Sequence, residues 1–149
     1  MSLGRLSMRG LGLKNISQTV GGAGLWPGGW SPMSLTNGDG TAITYGQVCY
    51  ISAADTARKG QANSTQAIAT VRCMCIDTTV AAGVAGRFVF GGRIPVMTGL
   101  TAATDYFLST TLGALTVTPN ITVGQYLVYV GFALSITEFQ LVPSLPILN

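Results

Sequence analysis

Residues 125–136 (QYLVYVGFALSI) constrain the fold more than any other stretch of this chain. In a strand, successive side chains alternate between two faces. One face here carries Tyr126, Val128, Val130, Phe132 and Leu134; the other carries Leu127, Tyr129, Gly131, Ala133 and Ser135. Neither face is polar over its length. A strand with one wet face would alternate apolar with polar, so this one is expected to be covered on both sides. In a single-domain antiparallel protein the second cover is expected to be a neighbouring subunit. Tyr126, Val128, Tyr129, Val130 and Phe132 are therefore candidate oligomer-interface residues.

Charge content points the same way. Charged residues make up 9% of the chain, against about a quarter in an ordinary soluble domain. Hydrophobic residues make up 48%, which excludes disorder for most of the chain. A surface this poor in charge is expected to be buried against other copies or a large partner. A membrane is the rival explanation. No run approaches the ~18 apolar residues of a spanning helix. Gly10, Gly12, Lys14, Asn15 and Ser17 interrupt the segment after Arg5 and Arg9 where a signal peptide would need an apolar run. Neither a membrane span nor an exported barrel is expected, and synthesis in a cytoplasm is.

The organisation reads as an irregular arm, residues 1–38, followed by a β-domain, residues 39–149. The arm carries Arg5, Arg9 and Lys14 with no acid, whereas from Asp39 onward five basic and five acidic residues balance. That asymmetry suggests an arm that touches an acidic partner surface. Residues 20–32 hold five glycines, Pro27, Pro32 and both tryptophans, Trp26 and Trp30. Glycine and proline at this density disfavour a regular element. The two indoles are expected to anchor against this chain's own body, a sister copy or another protein.

Turn signals divide the remainder into short β-runs. Strands are expected over residues 41–52, 66–77, 80–84, 87–90, 93–97, 105–109, 114–118, 125–136 and 138–142. Residues 53–65 read as a solvated excursion that includes a helical turn, and residues 143–149 as an extended strap. Pro95 places its run at an edge or bulge. No amphipathic helix is evident. The expected fold is all-β, an antiparallel sandwich or small barrel.

Catalysis has little to work with. There is no histidine, the usual general acid–base near neutral pH. The carboxylates are isolated in sequence, with Asp105 and Glu138 the one pair placed to meet across strands. Arg87 and Arg93 read as surface charges. Cys49, Cys73 and Cys75, an odd set without histidine, read as buried free thiols in place of a metal site. Cys73 and Cys75 share a strand face and are poorly placed to bridge each other. No phosphate-loop or dinucleotide pattern is present, and three arm cations are too few for a nucleic-acid site. No enzyme, cofactor or metal is expected.

Within residues 98–142, Gly99, Leu100 and Thr101 lead into the aromatic run Tyr106 to Ser109. The run Gly113 to Thr116 (GALT), Pro119, the pair Gly124 and Gln125, and Val130 to Ser135 (VGFALS) then follow. This pattern resembles a β-module of tailed-bacteriophage virion proteins, and with residues 46–92 it is similar to head-decoration (cement) and fibre-like proteins. The match spans roughly 100 residues and departs at Thr104 and Asp105, where a glycine turn is more usual. The resemblance implies a homotrimer on the virion surface, with the major capsid protein as partner and Arg5, Arg9, Lys14, Trp26 and Trp30 as the capsid-binding arm. A tail-fibre or receptor-binding role is the alternative.

Overall fold

The computed structural model describes residues 31–149, which turn chemistry divides into fourteen short strands and one helical turn. Five strands close a barrel: β1 (Met33–Asn37), β3 (Val48–Ala53), β4 (Thr56–Lys59), β5 (Cys73–Cys75) and β7 (Ala85–Val89), in the order β1-β4-β3-β5-β7. β7 returns antiparallel to β1, with Leu35 opposite Gly86. Among the described strands only the β1–β4 pair is parallel. A short pair, β2 (Ile43–Thr44) with β6 (Thr79–Val80), adds Ile43 and Val80 to the barrel core.

The barrel interior is small, and its residues fit it. Cys49, Ala57, Cys73 and Cys75 supply slim side chains around Leu35 and the buried ring of Phe88, with Phe90 packed against the cluster. A narrow barrel leaves room for side chains and no lumen. The expectation of buried, free thiols is met. Cys73 and Cys75 do share one face, and Met74 between them points out of the barrel into the second core cluster.

The second layer is an antiparallel five-stranded sheet, β10-β9-β12-β13-β8. Its strands are β8 (Gly92–Ile94), β9 (Asp105–Leu108), β10 (Leu115–Thr116), β12 (Tyr129–Ala133) and β13 (Phe139–Leu141). β8 is an edge strand and Pro95 follows it, as proline chemistry anticipates. Val48, Met74 and Val89 on the outer barrel wall share one core with Ile94, Leu108, Val128, Val130 and Phe139 of the sheet side. The wall β3–β5–β7 is thus buried on both faces, which explains the unbroken apolar run from Cys73 to Ile76.

β11 (Tyr126–Leu127) pairs with β14 (Ile147–Leu148) in a ribbon of its own. The one helical turn among the described residues, α1 (Gln66–Ala69), is capped by Thr65, whose side chain accepts from the Ile68 amide, and it buries Ala69.

Several expected boundaries are corrected. Residues 41–52 form two strands, because Gly46 turns the chain with φ +85°. The supposed excursion 53–65 contains β4, and Lys59, Gly60 and Ala62 within it are buried. The front of the expected strand 66–77 is α1. Residues 80–84 are mostly the turn between β6 and β7. The arm boundary at residue 38 moves toward the N-terminus, since β1 lies inside the segment read as arm and closes the barrel with Leu35 and Asn37 buried.

Candidate interaction surface

The strand that opened the sequence reading is split in two, with Val128 between β11 and β12. β12 then slips against β9: Tyr129 faces Phe107, but Gly131 faces Tyr106. This bulge needs glycine. A Cβ at position 131 would lie 2.0 Å from the Gln140 carbonyl oxygen and 2.9 Å from the Phe139 ring. The slip also changes the phase of the strand. Val128 and Val130 point inward, and the next core residue is Ala133 instead of Phe132.

The interface assignment is corrected accordingly. Val128 and Val130 are 0% exposed and packed in this chain's own core. The cover expected from a neighbouring subunit comes, for that face, from the barrel wall of the same chain. Tyr126 is half-buried against the same core. Tyr129 and Phe132 are half-buried. Tyr129 donates its hydroxyl to Asp105 Oδ1 at 3.1 Å and meets Phe107 edge-to-face at 5.8 Å. Burial and that carboxylate raise the Tyr129 phenol above its ordinary value. Arg5, Arg9, Lys14, Trp26 and Trp30 lie outside the described residues.

Three carboxylates have separate partners. Asp105 holds Tyr129, whereas Glu138 pairs with Arg93 across β8 and β13. Asp77 accepts from both the backbone amide and the Nε of Arg87, each at 2.8 Å. Burial pushes the Cys75 thiol up to about 11 and Cys73 up to about 12, with Cys49 raised further still. Such thiols stay protonated and are poor nucleophiles or metal ligands. Among the described residues no group of three His, Cys, Asp or Glu could hold a metal ion. No described helix is long and apolar enough to cross a membrane.

One polar network was not legible in the sequence. Asn37 is 0% exposed, and its side-chain amide donates to the carbonyls of Thr41 (2.9 Å) and Val80 (2.8 Å). Lys59 Nζ donates to Thr41 Oγ1 at 2.8 Å and to the Ala42 carbonyl at 3.0 Å, while its amide donates to Asp39 Oδ2. Together they lock the 37–42 turn across the barrel mouth. The Asn-Gly-Asp-Gly signal announced a turn, but nothing local to it pointed to Lys59.

Two surface features remain. An open cleft of about 810 Å³ lies between barrel and sheet, lined among others by Tyr45, Gln47, Met97, Leu100 and Tyr106. The Tyr45 hydroxyl reaches across it to the Pro95 carbonyl. The second feature is the end of the body around the β11–β14 ribbon. There Ile121 (75%), Val123 (88%), Leu145 (67%), Ile147 (60%) and Leu148 (61%) are exposed. Asn149 sews this end together. Its amide donates to the Gln125 carbonyl at 2.9 Å, its side chain donates to the Asn120 carbonyl at 2.8 Å, and its own carbonyl accepts from Gly124 at 2.9 Å. Glu138 is the one charged residue in sequence positions 106–149.

Neither a protein-family model nor a curated protein matches this chain.

Proposed function

We propose that this protein is a structural virion protein of a tailed bacteriophage, which binds the outside of the capsid as a homotrimer and bridges capsomers to stabilise the shell. The observation that carries this reading is the set of exposed aliphatic side chains around β14, in a stretch, residues 106–149, whose one charged residue is Glu138. In water such a surface favours association, and on a particle it is covered. The likeness of residues 98–142 to virion β-modules supplies the kind of assembly. A shell gains stability from a protein that engages several subunits at once, because linked contacts raise the cost of separating any two. In this reading Arg5, Arg9 and Lys14 meet acidic groups of the major capsid protein, and Trp26 and Trp30 act as aromatic anchors.

Co-sedimentation with undecorated, expanded shells tests the proposal. The full chain is expected to pellet with shells at a fixed stoichiometry. Removal of residues 1–32, which stops short of β1, is expected to abolish binding with the β-sheet circular dichroism unchanged. Wild-type binding by that truncation overturns the arm assignment, and a full chain that stays in the supernatant overturns the capsid reading.

The cleft of about 810 Å³ favours a second reading, a tail-fibre or receptor-binding protein, since its size suits a small ligand. Binding of purified protein to host cells or to a glycan array, with no binding to shells, selects that reading.

A further inference from the structure

We infer that the groove between the 71–72, 90–91 and 141–145 segments is filled by Trp30 of the same chain, so that the root of the N-terminal arm is fixed on the body. The inference goes beyond the function proposed above and does not depend on it.

The groove suits an aromatic ring beside a cation. It measures about 540 Å³ and is lined by Val71, Phe90, Leu141, Val142 and Leu145, with Arg72 among them. A cavity of that size takes a ligand larger than an indole. Val71 and Leu141 belong to the buried core, whereas Val142 and Leu145 are exposed. Arg72 is exposed too, and its guanidinium has no ion pair or hydrogen bond among the described residues. No described carboxylate lines the groove. An indole offers both an apolar body for the aliphatic wall and a ring face for the guanidinium.

Register brings Trp30 to this place. β1 pairs antiparallel with β7, with Met33 opposite Phe88. Carried outward, the same register sets Pro32 opposite Val89, Ser31 opposite Phe90 and Trp30 opposite Gly91. Phe90 and Gly91 both line the groove. Ser31 precedes a proline, which favours an extended backbone there and keeps the line of the strand. The Trp30 Cα then lies within about 7 Å of that of Pro32, which is itself half-buried.

Alternation selects the face. Leu35 and Asn37 are buried on the barrel side of β1, so positions 30, 32, 34 and 36 take the outer face. On β7, Phe88 fills the barrel and Val89 faces the core shared with the sheet. Trp30 therefore falls on the side of Val89, toward Val71 and Leu141. Gly91 opposite it has no side chain to compete for the space, and an aromatic covering a cross-strand glycine is a favourable pair. Gly28 and Gly29 then let the chain turn away. The two tryptophans thus take different tasks. Trp30 holds the arm to its own body, and Trp26, with Arg5, Arg9 and Lys14, is left for a partner.

Tryptophan fluorescence of the full chain is the test. W26F leaves Trp30 as the single indole, and W30F leaves Trp26. Emission of W26F is expected at shorter wavelength than that of W30F, with weaker quenching by acrylamide. Leu145→Asp, at an exposed groove position, is expected to move the W26F emission to longer wavelength and to raise its quenching several-fold, with circular dichroism unchanged. Val84→Asp, on the exposed β6–β7 turn, is expected to change neither. Protection of Trp30 is expected to persist on dilution to the point where light scattering reads the 15.4 kDa mass of one chain. A Trp30 as open to acrylamide as a free indole, or indifferent to Leu145→Asp, overturns the inference. So does a W30F chain that is the better protected. Protection lost on dilution assigns the groove to a sister copy's arm and overturns it as well. Every readout is made on the free protein, so a failure to bind shells counts only against the capsid reading.

Discussion

Gly131 decides by its missing side chain which residues of β12 reach the core. A methyl group there would collide with the Gln140 backbone carbonyl, which belongs to the paired strand β13 and cannot swing aside as a side chain tip would. Gly131→Ala is expected to cost roughly 3 kcal/mol, near the upper range of overpacking substitutions, read as a lower midpoint in urea unfolding. The barrel thiols give a second expectation. An unfolded thiol titrates near 9, whereas Cys75 and Cys73 in the folded chain titrate at about 11 and about 12. Between these values the unfolded chain releases protons that the folded chain keeps. Stability is therefore full below pH 9 and lost as pH climbs through the folded values, by up to about 1.4 kcal/mol per pH unit for each thiol. Thermal melts are expected to hold their midpoint from pH 7 to 9 and fall above it, with a shallower fall in Cys73→Ala. In native protein a thiol reagent at pH 8 is expected to find almost no reactive cysteine, and three after denaturation.

Among the elements, β5 carries a disproportionate share of the packing for three residues. Cys73 and Cys75 fill the barrel, and Met74 reaches the core shared with the sheet. Met74→Ala is expected to cost about 2–5 kcal/mol and to loosen both layers. Hydrogen exchange is the direct readout: amides of β3, β5 and β7 on the barrel side and of β9 and β12 on the sheet side are expected to exchange faster together. Faster exchange confined to the barrel would mean that the shared core does not couple the two layers. α1 is a minor element by comparison; its Thr65 cap accounts for about 1 kcal/mol at most.

Across the whole molecule, the barrel and the sheet are two layers over one apolar interior, since Val48, Met74 and Val89 belong to the cluster that holds Val130 and Phe139. Unfolding of the 149-residue chain is expected to be a single transition, with near- and far-ultraviolet circular dichroism superimposable against urea. Two separated transitions would contradict a common interior.

Local chemistry in the sequence was enough to determine the all-β class, the 105–118 hairpin, the antiparallel return of residues 138–142 onto β12, the edge position ahead of Pro95 and the burial of the three cysteines. Each follows from side-chain alternation, turn residues or the absence of acid–base chemistry, all of which act over a few residues. Tertiary structure alone decided what covers residues 125–136, because an apolar face records that it is buried and not what buries it. Two apolar faces suggested a second subunit for Val128 and Val130; the partner is the chain's own barrel, brought there by contacts distant in sequence. The same reason hides the pairing of β1 with β4 and β7, the reach of Lys59 to the 37–42 turn, and the phase change at Gly131. Only in three dimensions do the 120–124 loop and the 147–148 strand, far apart in the chain, come together through the bonds of Asn149.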